Sequence, residues 1–259
     1  MISNFDGNVN RDFFRRRSEK TGGGAMPTIR LDNVSKLYHL GEFEHWAVQG
    51  IDLTIEQGDF LFLVGSRGAG KSTLMNIISG RMKPSLGKVF LDDKDVTPLN
   101  PRERETAFSA IRCIEQGADL DRSETVYGNL SEEVRRFFFF RSRIVNKPLV
   151  DKALGVVGVP ECGDTFPRDL SSSECRRVLI AKAILHSPAV LMLDDFTDHM
   201  DEDTIWDMLH LLNELNRKGT TIIMSTNSSY VVNIMRRRVV TLADGKLVGD
   251  VKKGRYGYI

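Results

Sequence analysis

Residues 65–73 constrain the fold of this chain more than any other part of its sequence. They fit the phosphate-loop pattern G-x-x-x-x-G-K-[ST] in full, after a continuous apolar run at 60–64 and before a predicted helix at 73–79. Strand, glycine loop and helix in this order turn backbone N–H groups and a helix N-terminus toward phosphate oxygens. We therefore predict a nucleotide phosphate site, whose residues are Gly65, Ser66, Arg67, Gly68, Ala69, Gly70, Lys71, Ser72 and Thr73.

Three side chains of this loop receive individual predictions. Lys71 is predicted to reach the β- and γ-phosphates, and Ser72 is predicted to ligate Mg²⁺, which makes ATP and Mg²⁺ the expected ligands. Arg67 is an unusual residue inside such a loop. It could add a cation beside the phosphates, or it could point to solvent. We favour solvent for Arg67.

The rest of the chain alternates apolar runs with helical segments, which indicates an α/β fold with a mostly parallel sheet. Residues 51–55 alternate as a half-buried strand does, and 190–193 and 220–224 are continuous apolar runs. Residues 239–248 predict a hairpin around Asp244-Gly245. A stretch at about 119–170 has helical spacing, so we predict a helical subdomain inserted into one domain at 26–259.

Composition excludes several classes of protein. The formal net charge is +1, which argues against nucleic-acid binding as the main task, and 41% of the residues are hydrophobic, enough for a large core. No apolar run approaches the ~20 residues that a membrane-spanning helix needs, and the start lacks the apolar core of a secretory signal. Cys113, Cys162 and Cys175 are scattered, so we expect free thiols in a reducing, cytoplasmic compartment.

Residues 1–25 are predicted to be a leader separate from the domain. They carry Arg15-Arg16-Arg17 and a triple-glycine linker, and Met26 would open the domain cleanly. One interpretation is a disordered basic tail, with translation starting at either Met1 or Met26. The alternative is a membrane-surface contact by Phe13-Phe14 and the arginines. We favour the disordered tail.

A second acidic motif follows the predicted strand at 190–193. Asp194 and Asp195 stand at its end, where an acid can hold the hydration shell of Mg²⁺. An acidic pair after a strand can also be a helix cap or a turn, but the phosphate loop in the same chain favours the metal. We assign that role to Asp194.

With both motifs in place, the chain from about residue 29 to its end resembles an ATP-binding cassette (ABC) ATPase. The resemblance implies a P-loop NTPase cassette with a mostly parallel central sheet, an antiparallel β subdomain and a helical insert. It also implies that Tyr38 stacks on adenine, that Gln116 serves metal binding and hydrolysis, and that Asp201 belongs to the loop after the acidic strand. Further site positions implied in this way are Ser171, Ser172 and Ser173 of the signature, Asp195 beside the attacking water, and Asn227 at the switch position.

Within this family the chain is most similar to the FtsE group of cell-division ATPases. Segments 203–206, 216–221, 235–239 and 256–258 carry most of that likeness. It implies a homodimer that forms on ATP binding beneath an FtsX-like membrane subunit, at the inner face of the plasma membrane, and that couples ATP to the control of cell-wall hydrolases. Lipoprotein- and macrolide-export ATPases share much of the pattern and stay an alternative.

The chain departs from the family pattern in four places, and they cluster on the hydrolytic machinery. Ser172 and Ser173 replace two signature glycines, Asp195 replaces a glutamate, Asn227 replaces a histidine, and residues 198–200 replace Gly-Asn-Leu. Together they predict a slow or inactive ATPase that retains ATP binding. Two alternatives stay open: the substitutes serve adequately in a slower enzyme, or the chain is a non-hydrolytic regulatory protein that ATP holds together.

Four consecutive phenylalanines at 137–140 fall within the predicted helical subdomain. They spread over most of a helix circumference, so they cannot all face one core. Two of them in the core and two partly exposed is one interpretation. A docking surface for a membrane subunit, near the groove beside Gln116 that the family resemblance implies, is the other.

Overall fold

The computed structural model describes residues 28–41, 43–137, 147–198 and 200–256. The predicted leader at 1–25 and the phenylalanines at 138–140 lie outside these ranges, as does the side chain of Phe137. The described strands are β1 (Ile29–Leu40), β2 (Phe43–Ile55), β3 (Phe60–Val64), β4 (Leu86–Leu91), β5 (Lys94–Asp95), β6 (Ile111–Ile114), β7 (Val190–Asp194), β8 (Thr221–Ser225), β9 (Arg238–Ala243) and β10 (Lys246–Val251).

The described helices alternate with these strands over much of the chain. They are α1 (Lys71–Ile78), α2 (Pro101–Ala107), α3 (Val126–Phe137), α4 (Lys147–Val157), α5 (Ser172–Ile184), α6 (Glu202–Arg217) and α7 (Ser229–Met235), with 3-10 helices at Pro160–Asp164 and Pro167–Asp169. The chain divides into two compact units. One contains Gly117–Pro188, and the other contains Met26–Gln116 and Ala189–Ile259.

A six-stranded sheet forms the centre of the larger unit, in the order β10-β9-β3-β8-β7-β6. All neighbouring pairs are parallel except β9 and β10, which form the predicted antiparallel hairpin. Every residue of β3, β7 and β8 is buried, as the continuous apolar runs predict. Parallel strands end at a common edge, so the segments that follow β3, β7 and β8 are brought together there.

The first helix begins earlier than the sequence indicates. α1 starts at Lys71 rather than at residue 73, directly after Gly70, which adopts a left-handed conformation at the N-cap. Leu74, Met75, Ile77 and Ile78 of α1 are buried in the core of this unit. Their burial fixes the position of the loop that precedes the helix.

An antiparallel sheet in the order β2-β1-β4-β5 completes the strands of the larger unit. Residues 51–55 of β2 alternate as predicted, with Ile51, Leu53 and Ile55 buried and Asp52 exposed. The α/β class with a mostly parallel central sheet and an antiparallel β subdomain is therefore confirmed.

In the described residues of the smaller unit, 117–137 and 147–188, the regular elements are all helices, joined by turns and irregular segments. Its helices α3, α4 and α5 bury apolar side chains such as Leu130, Leu154 and Val178, each of which is 0% exposed. Among the residues that the structure describes, no helix has both the length and the apolar character of a membrane span.

Candidate nucleotide-binding and catalytic site

The phosphate loop joins β3 to α1 and depends on glycine at two positions. Gly65 and Gly70 have φ of 154° and 98°, values that residues with a side chain rarely adopt. A Cβ on Gly65 would lie 2.3 Å from the carbonyl oxygen of Leu242, and a Cβ on Gly70 would lie 2.2 Å from that of Ala47. The backbone therefore wraps more tightly at these positions than any side chain would permit.

Lys71 is buried at 6% exposure and is held from three sides. Its Nζ donates to the carbonyl oxygens of Gly65 at 2.8 Å and Ser66 at 3.1 Å, and to Oδ1 of Asn227 at 2.8 Å. An ammonium group has three hydrogens to donate, so each has a protein acceptor. Lys71 thereby joins the phosphate loop to the segment after β8.

The remaining loop residues differ in accessibility. Ser66, Arg67, Gly68 and Ser72 are exposed, whereas Ala69 is buried. Ser72 at the start of α1 is thus accessible to a ligand, and the exposure of Arg67 is compatible with either position predicted for it, beside the phosphates or in solvent.

Ser225 joins the carboxylate of Asp194 to the backbone of Asp195. Asp194 ends β7 at 8% exposure, and one of its carboxylate oxygens accepts a short hydrogen bond from the Ser225 hydroxyl. The backbone N–H of Asp195 donates to the same hydroxyl at 3.0 Å. Ser225 is itself 0% exposed, so this hydroxyl lies in the core beneath both acidic residues.

Asp195 is less well accommodated than Asp194. Its φ is 45°, a left-handed value, and its Oδ1 is buried without a hydrogen-bond partner among the described residues, as is Oγ1 of Thr197. Burial raises the pKa of the Asp195 carboxyl above its usual range, and the neighbouring carboxylate of Asp198 raises this pKa further. The positive charge of Lys71 opposes both effects.

The donor set fits a hard divalent cation. The Ser72 hydroxyl, the Asp194 carboxylate and the Gln116 side-chain amide all offer oxygen, which Mg²⁺ prefers. Within the described residues, no group of three or more His, Cys, Asp or Glu side chains is arranged to hold a metal ion. Three oxygen donors would leave the remaining positions of an octahedral Mg²⁺ shell to water or to phosphate oxygens.

Two further predicted residues are placed on the larger unit by the structure. Tyr38 lies on β1, half-buried, with its hydroxyl 3.3 Å from Sδ of Met82 and the Nζ of Lys36 5.7 Å from its ring centroid. Gln116 is exposed and follows β6 closely. The stacking of Tyr38 on adenine and the contact of Gln116 with the metal stay predictions.

The signature residues lie in the helical unit at the start of α5. Ser171 caps the helix: its Oγ accepts from the Glu174 N–H at 3.2 Å and donates to Oε2 of Glu174 at 2.7 Å. These bonds hold the pKa of the Glu174 carboxyl below its usual range. Ser172 and Ser173 are the first two residues of α5, where free backbone N–H groups favour an anion.

Two residues of the larger unit make contacts at the site that the sequence did not predict. Ser225 pairs in register with Asp194, and a polar residue at the carboxyl end of an apolar strand was the available signal. Gly245, in the turn between β9 and β10, donates its N–H to the carbonyl oxygen of Ala69 at 3.2 Å and accepts from Gln49 N–H at 2.7 Å. The hairpin thereby contacts the phosphate loop.

Comparisons with known proteins agree with this geometry. The family model described as ABC transporter matches residues 48–198. The cell division ATP-binding protein FtsE of Bacillus subtilis is 34% identical over 229 residues, which cover 88% of this chain and 98% of that protein. The FtsE of Mycobacterium tuberculosis is 35% identical with the same coverage. The methionine import ATP-binding protein MetN 2 of Rhodococcus jostii is 35% identical over 223 residues, or 86% of this chain and 65% of that protein.

Solved structures show the same architecture. The dimeric cassette MJ0796, in a post-hydrolysis state bound to ADP and Pi, has a TM-score of 0.76 at 28% identity and covers 88% of this chain and 100% of that one. A second dimeric structure of the same cassette gives the same values.

Proposed function

The chain belongs to the ABC transporter family and is an ATP hydrolase of the ABC type, and from this premise we propose that it is the ATPase subunit of an FtsE–FtsX-like membrane complex in cell division. The observation that carries the proposal is the match to the FtsE proteins. This chain aligns with 98% of the B. subtilis protein at 34% identity. The complex would couple ATP binding, and slow hydrolysis, to the membrane partner.

ATP is the nucleotide that this site binds, and its proposed contacts follow from the geometry of the loop. The N–H groups of residues 65–73 would surround the phosphates, and Tyr38 would stack on adenine. Lys71 would exchange one or more of its protein acceptors for phosphate oxygens. The Asn227 side chain is the acceptor free to rotate away, whereas the carbonyls of Gly65 and Ser66 belong to the loop itself.

Mg²⁺ would be held by Ser72, Asp194 and Gln116 together with the phosphates. When bound it would offset the negative charge that develops on the γ-phosphate. Asp195 would orient the attacking water through its carboxylate, and the ionised form is the stronger acceptor of a hydrogen bond from that water. The raised pKa of Asp195 means that acidification removes this form sooner than it would at an ordinary aspartate.

A second copy of the chain would complete the site. The cassettes similar to this one include dimers, and one of them is a dimer with ADP and Pi bound. The start of α5 in one protomer, with Ser171, Ser172 and Ser173, would face the γ-phosphate held by its partner. Ser171 would have to give up its hydrogen bond to Glu174 in order to donate to that phosphate.

Slow turnover is part of the proposal. The lysine that holds phosphate is fully hydrogen-bonded and in place, whereas Asp195 is short and strained, with one carboxylate oxygen unpartnered. A displacement of ~1 Å from the attacking water can lower the rate roughly a hundredfold. Side chains in place of the signature glycines add a second obstacle to closure over the phosphate.

Reconstitution with a membrane partner tests this function. The chain would be co-expressed with an FtsX-type membrane subunit from the same organism, purified in lipid, and measured for ATP turnover with and without that subunit. We expect co-purification, association at the inner face of the membrane only when the subunit is present, and faster turnover in the complex. A Lys71→Ala variant is the control for contaminating ATPases. Failure to co-purify, together with unchanged turnover, would refute the assignment.

A transport ATPase is the second candidate, and the match to MetN 2 supports it. That protein is 35% identical, yet this chain spans only 65% of its length. Lipoprotein- or macrolide-export ATPases belong to the same alternative. Stimulation by a methionine-import or export permease, in place of the FtsX-type subunit, would favour it.

A further inference from the structure

Ser225 occupies a position between the two acidic residues of the site. It ends β8, pairs in register with Asp194 of β7, and is 0% exposed. The neighbouring residues of β8 are apolar, so this hydroxyl is a polar group in the core directly below the catalytic edge of the sheet. It has two partners, and both belong to the acidic motif.

The first partner is the carboxylate of Asp194. The Ser225 hydroxyl donates to Oδ1 of Asp194, which leaves Oδ2 as the oxygen free to contact a hydrated metal ion. A carboxylate joined to a buried hydroxyl in this way has one rotamer rather than several. Ser225 thus sets the direction from which Asp194 meets its ligand.

The second partner is the backbone of Asp195. Its N–H donates to the Ser225 oxygen at 3.0 Å, and the residue adopts a φ of 45°. Residues with a Cβ occupy this left-handed region rarely and need surrounding contacts to stay there. Because the direction of a short side chain follows its backbone, this hydrogen bond also sets where the Asp195 carboxylate points.

We propose that Ser225 is a positioning residue for ATP hydrolysis. Its single hydroxyl orients the carboxylate of Asp194, which would face the metal ion, and the carboxylate of Asp195, which would face the attacking water. The proposal rests on the role of Asp195 given under the proposed function. Removal of the hydroxyl would free the Asp194 rotamer and allow Asp195 to relax to a negative φ. ATP would still bind, because the hydrogen bonds of Lys71 do not involve Ser225.

The competing explanation is that Ser225 only satisfies buried polar groups and so contributes to stability alone. Ser35 provides a matched control for that explanation. It is buried at 7% exposure, and its Oγ accepts the Gly50 N–H at 2.8 Å, in a hydrogen bond to backbone much like that of Ser225 to Asp195. It lies on β1 and is assigned no part in the site.

The experiment measures kcat for ATP hydrolysis, the affinity for ATP and the temperature of thermal unfolding for Ser225→Ala, Ser225→Thr and Ser35→Ala. For Ser225→Ala we expect kcat to fall by about 10- to 100-fold, as for a catalytic group displaced by about an ångström, with ATP affinity changed less than about threefold. Ser225→Thr keeps the hydroxyl and should recover part of the rate. Ser35→Ala should lower the unfolding temperature without lowering kcat. Equal kcat in Ser225→Ala and wild type would overturn the proposal.

Two further measurements keep the test decisive. In an Asp195→Asn background, Ser225→Ala should change kcat much less than it does in wild type, since the carboxylate it positions is gone. A crystal structure of Ser225→Ala should show Asp195 outside the left-handed region, and an unchanged φ there would count against the proposal. If Asp195→Asn alone leaves kcat unchanged, the role of Asp195 fails, while the effect of Ser225 on its backbone is still read from the structure. Should Ser225→Ala not fold, Ser225→Cys, with its weaker donor, should give an intermediate kcat.

Discussion

Lys71 and Asp195 lie at the same edge of one sheet, yet the side chain of Lys71 is fully hydrogen-bonded and that of Asp195 is not. Each hydrogen of the Lys71 ammonium has a protein acceptor, and its loop contains two glycines, Gly65 and Gly70, at which a Cβ would meet backbone atoms. Asp195 has a buried oxygen without a partner among the described residues, a left-handed backbone and neighbouring negative charge. The groups proposed to hold phosphate are arranged before a ligand is bound, whereas the group proposed to drive cleavage is not.

The difference has an energetic side. A buried polar atom without a partner disfavours the folded state by about 1–3 kcal/mol, and a satisfied one does not. Lys71, whose hydrogen bonds are all made within the protein, is therefore compatible with a stable fold in the absence of ATP. The buried oxygen of Asp195 gains its missing partner only from a ligand or from water, which links the order of this side chain to the bound state.

Removal of the lysine should give the largest effect. We expect Lys71→Ala to weaken ATP binding by at least about 100-fold, because charge-assisted hydrogen bonds to phosphate contribute roughly 1.5–3 kcal/mol each. Isothermal titration calorimetry measures the affinity. Arg67→Ala is the matched control within the loop, and its exposed side chain predicts a change below about threefold. Similar losses in both variants would mean that Arg67 also contacts the phosphates.

A methyl group on the loop backbone should have the next largest effect. Gly70→Ala should lower the free energy of unfolding by about 1–3 kcal/mol, since its φ is 98° and its Cβ would meet the Ala47 carbonyl. Gly68→Ala is the comparison: its φ of 85° is also strained, but nothing lies within 4 Å of its Cβ. Chemical denaturation of both variants separates the clash from the strain. Equal losses would show that the loop moves to relieve the contact.

Lengthening the acidic side chain tests the carboxylate side directly. Asp195→Glu should raise steady-state turnover by about tenfold, because one added methylene moves the carboxylate toward the position of the water. ATP affinity should stay within about twofold of wild type, since the lysine side is untouched. Asp198→Glu lengthens a neighbouring acid and should not accelerate turnover. A slower Asp195→Glu enzyme would show that the aspartate is already at the optimal distance.

The smallest expected effect concerns stability and pH. Burial raises the pKa of the Asp195 carboxyl in the folded state above its usual range, so stability is lost as pH rises from the usual pKa to the raised one. Asp195→Asn should therefore be more stable than wild type at pH 7, and the difference should shrink as pH falls through the raised pKa and reach its smallest value below the usual aspartate pKa of about 3.9. Unfolding in urea at several pH values measures it. A constant difference across this range would exclude ionisation as the cause.

The phosphate-loop half of the site was largely predictable from sequence. Its glycines, its preceding apolar strand and its lysine stand together in the chain, and local sterics dictate the loop they form. The buried strands β3, β7 and β8 were predicted from their continuous apolar runs, and their ends differ from the predicted ones by at most one residue. The start of α1 at Lys71 was not predicted. The left-handed N-cap at Gly70 sets this start, whereas the prediction relied on side-chain periodicity.

The links between segments could not be predicted in the same way. The bond from Lys71 to Asn227 joins residues 156 positions apart, and the bonds of Ser225 depend on the register of β7 against β8. Continuous apolar strands carry no alternation that would specify that register. The conformation of Asp195 follows from those contacts, so the sequence showed which acids were present but not how they are held.

The turn at Gly245 has a consequence for how the domain opens. Its N–H and its carbonyl bond to Ala69 in the phosphate loop and to Gln49 on β2, so the hairpin, the loop and the antiparallel sheet share two hydrogen bonds. Regions joined in this way exchange their amide hydrogens in one cooperative event rather than separately. ATP at the loop would then slow deuterium uptake at Gly245 and Gln49, so that local unfolding at the edge of the sheet becomes a gauge of nucleotide occupancy.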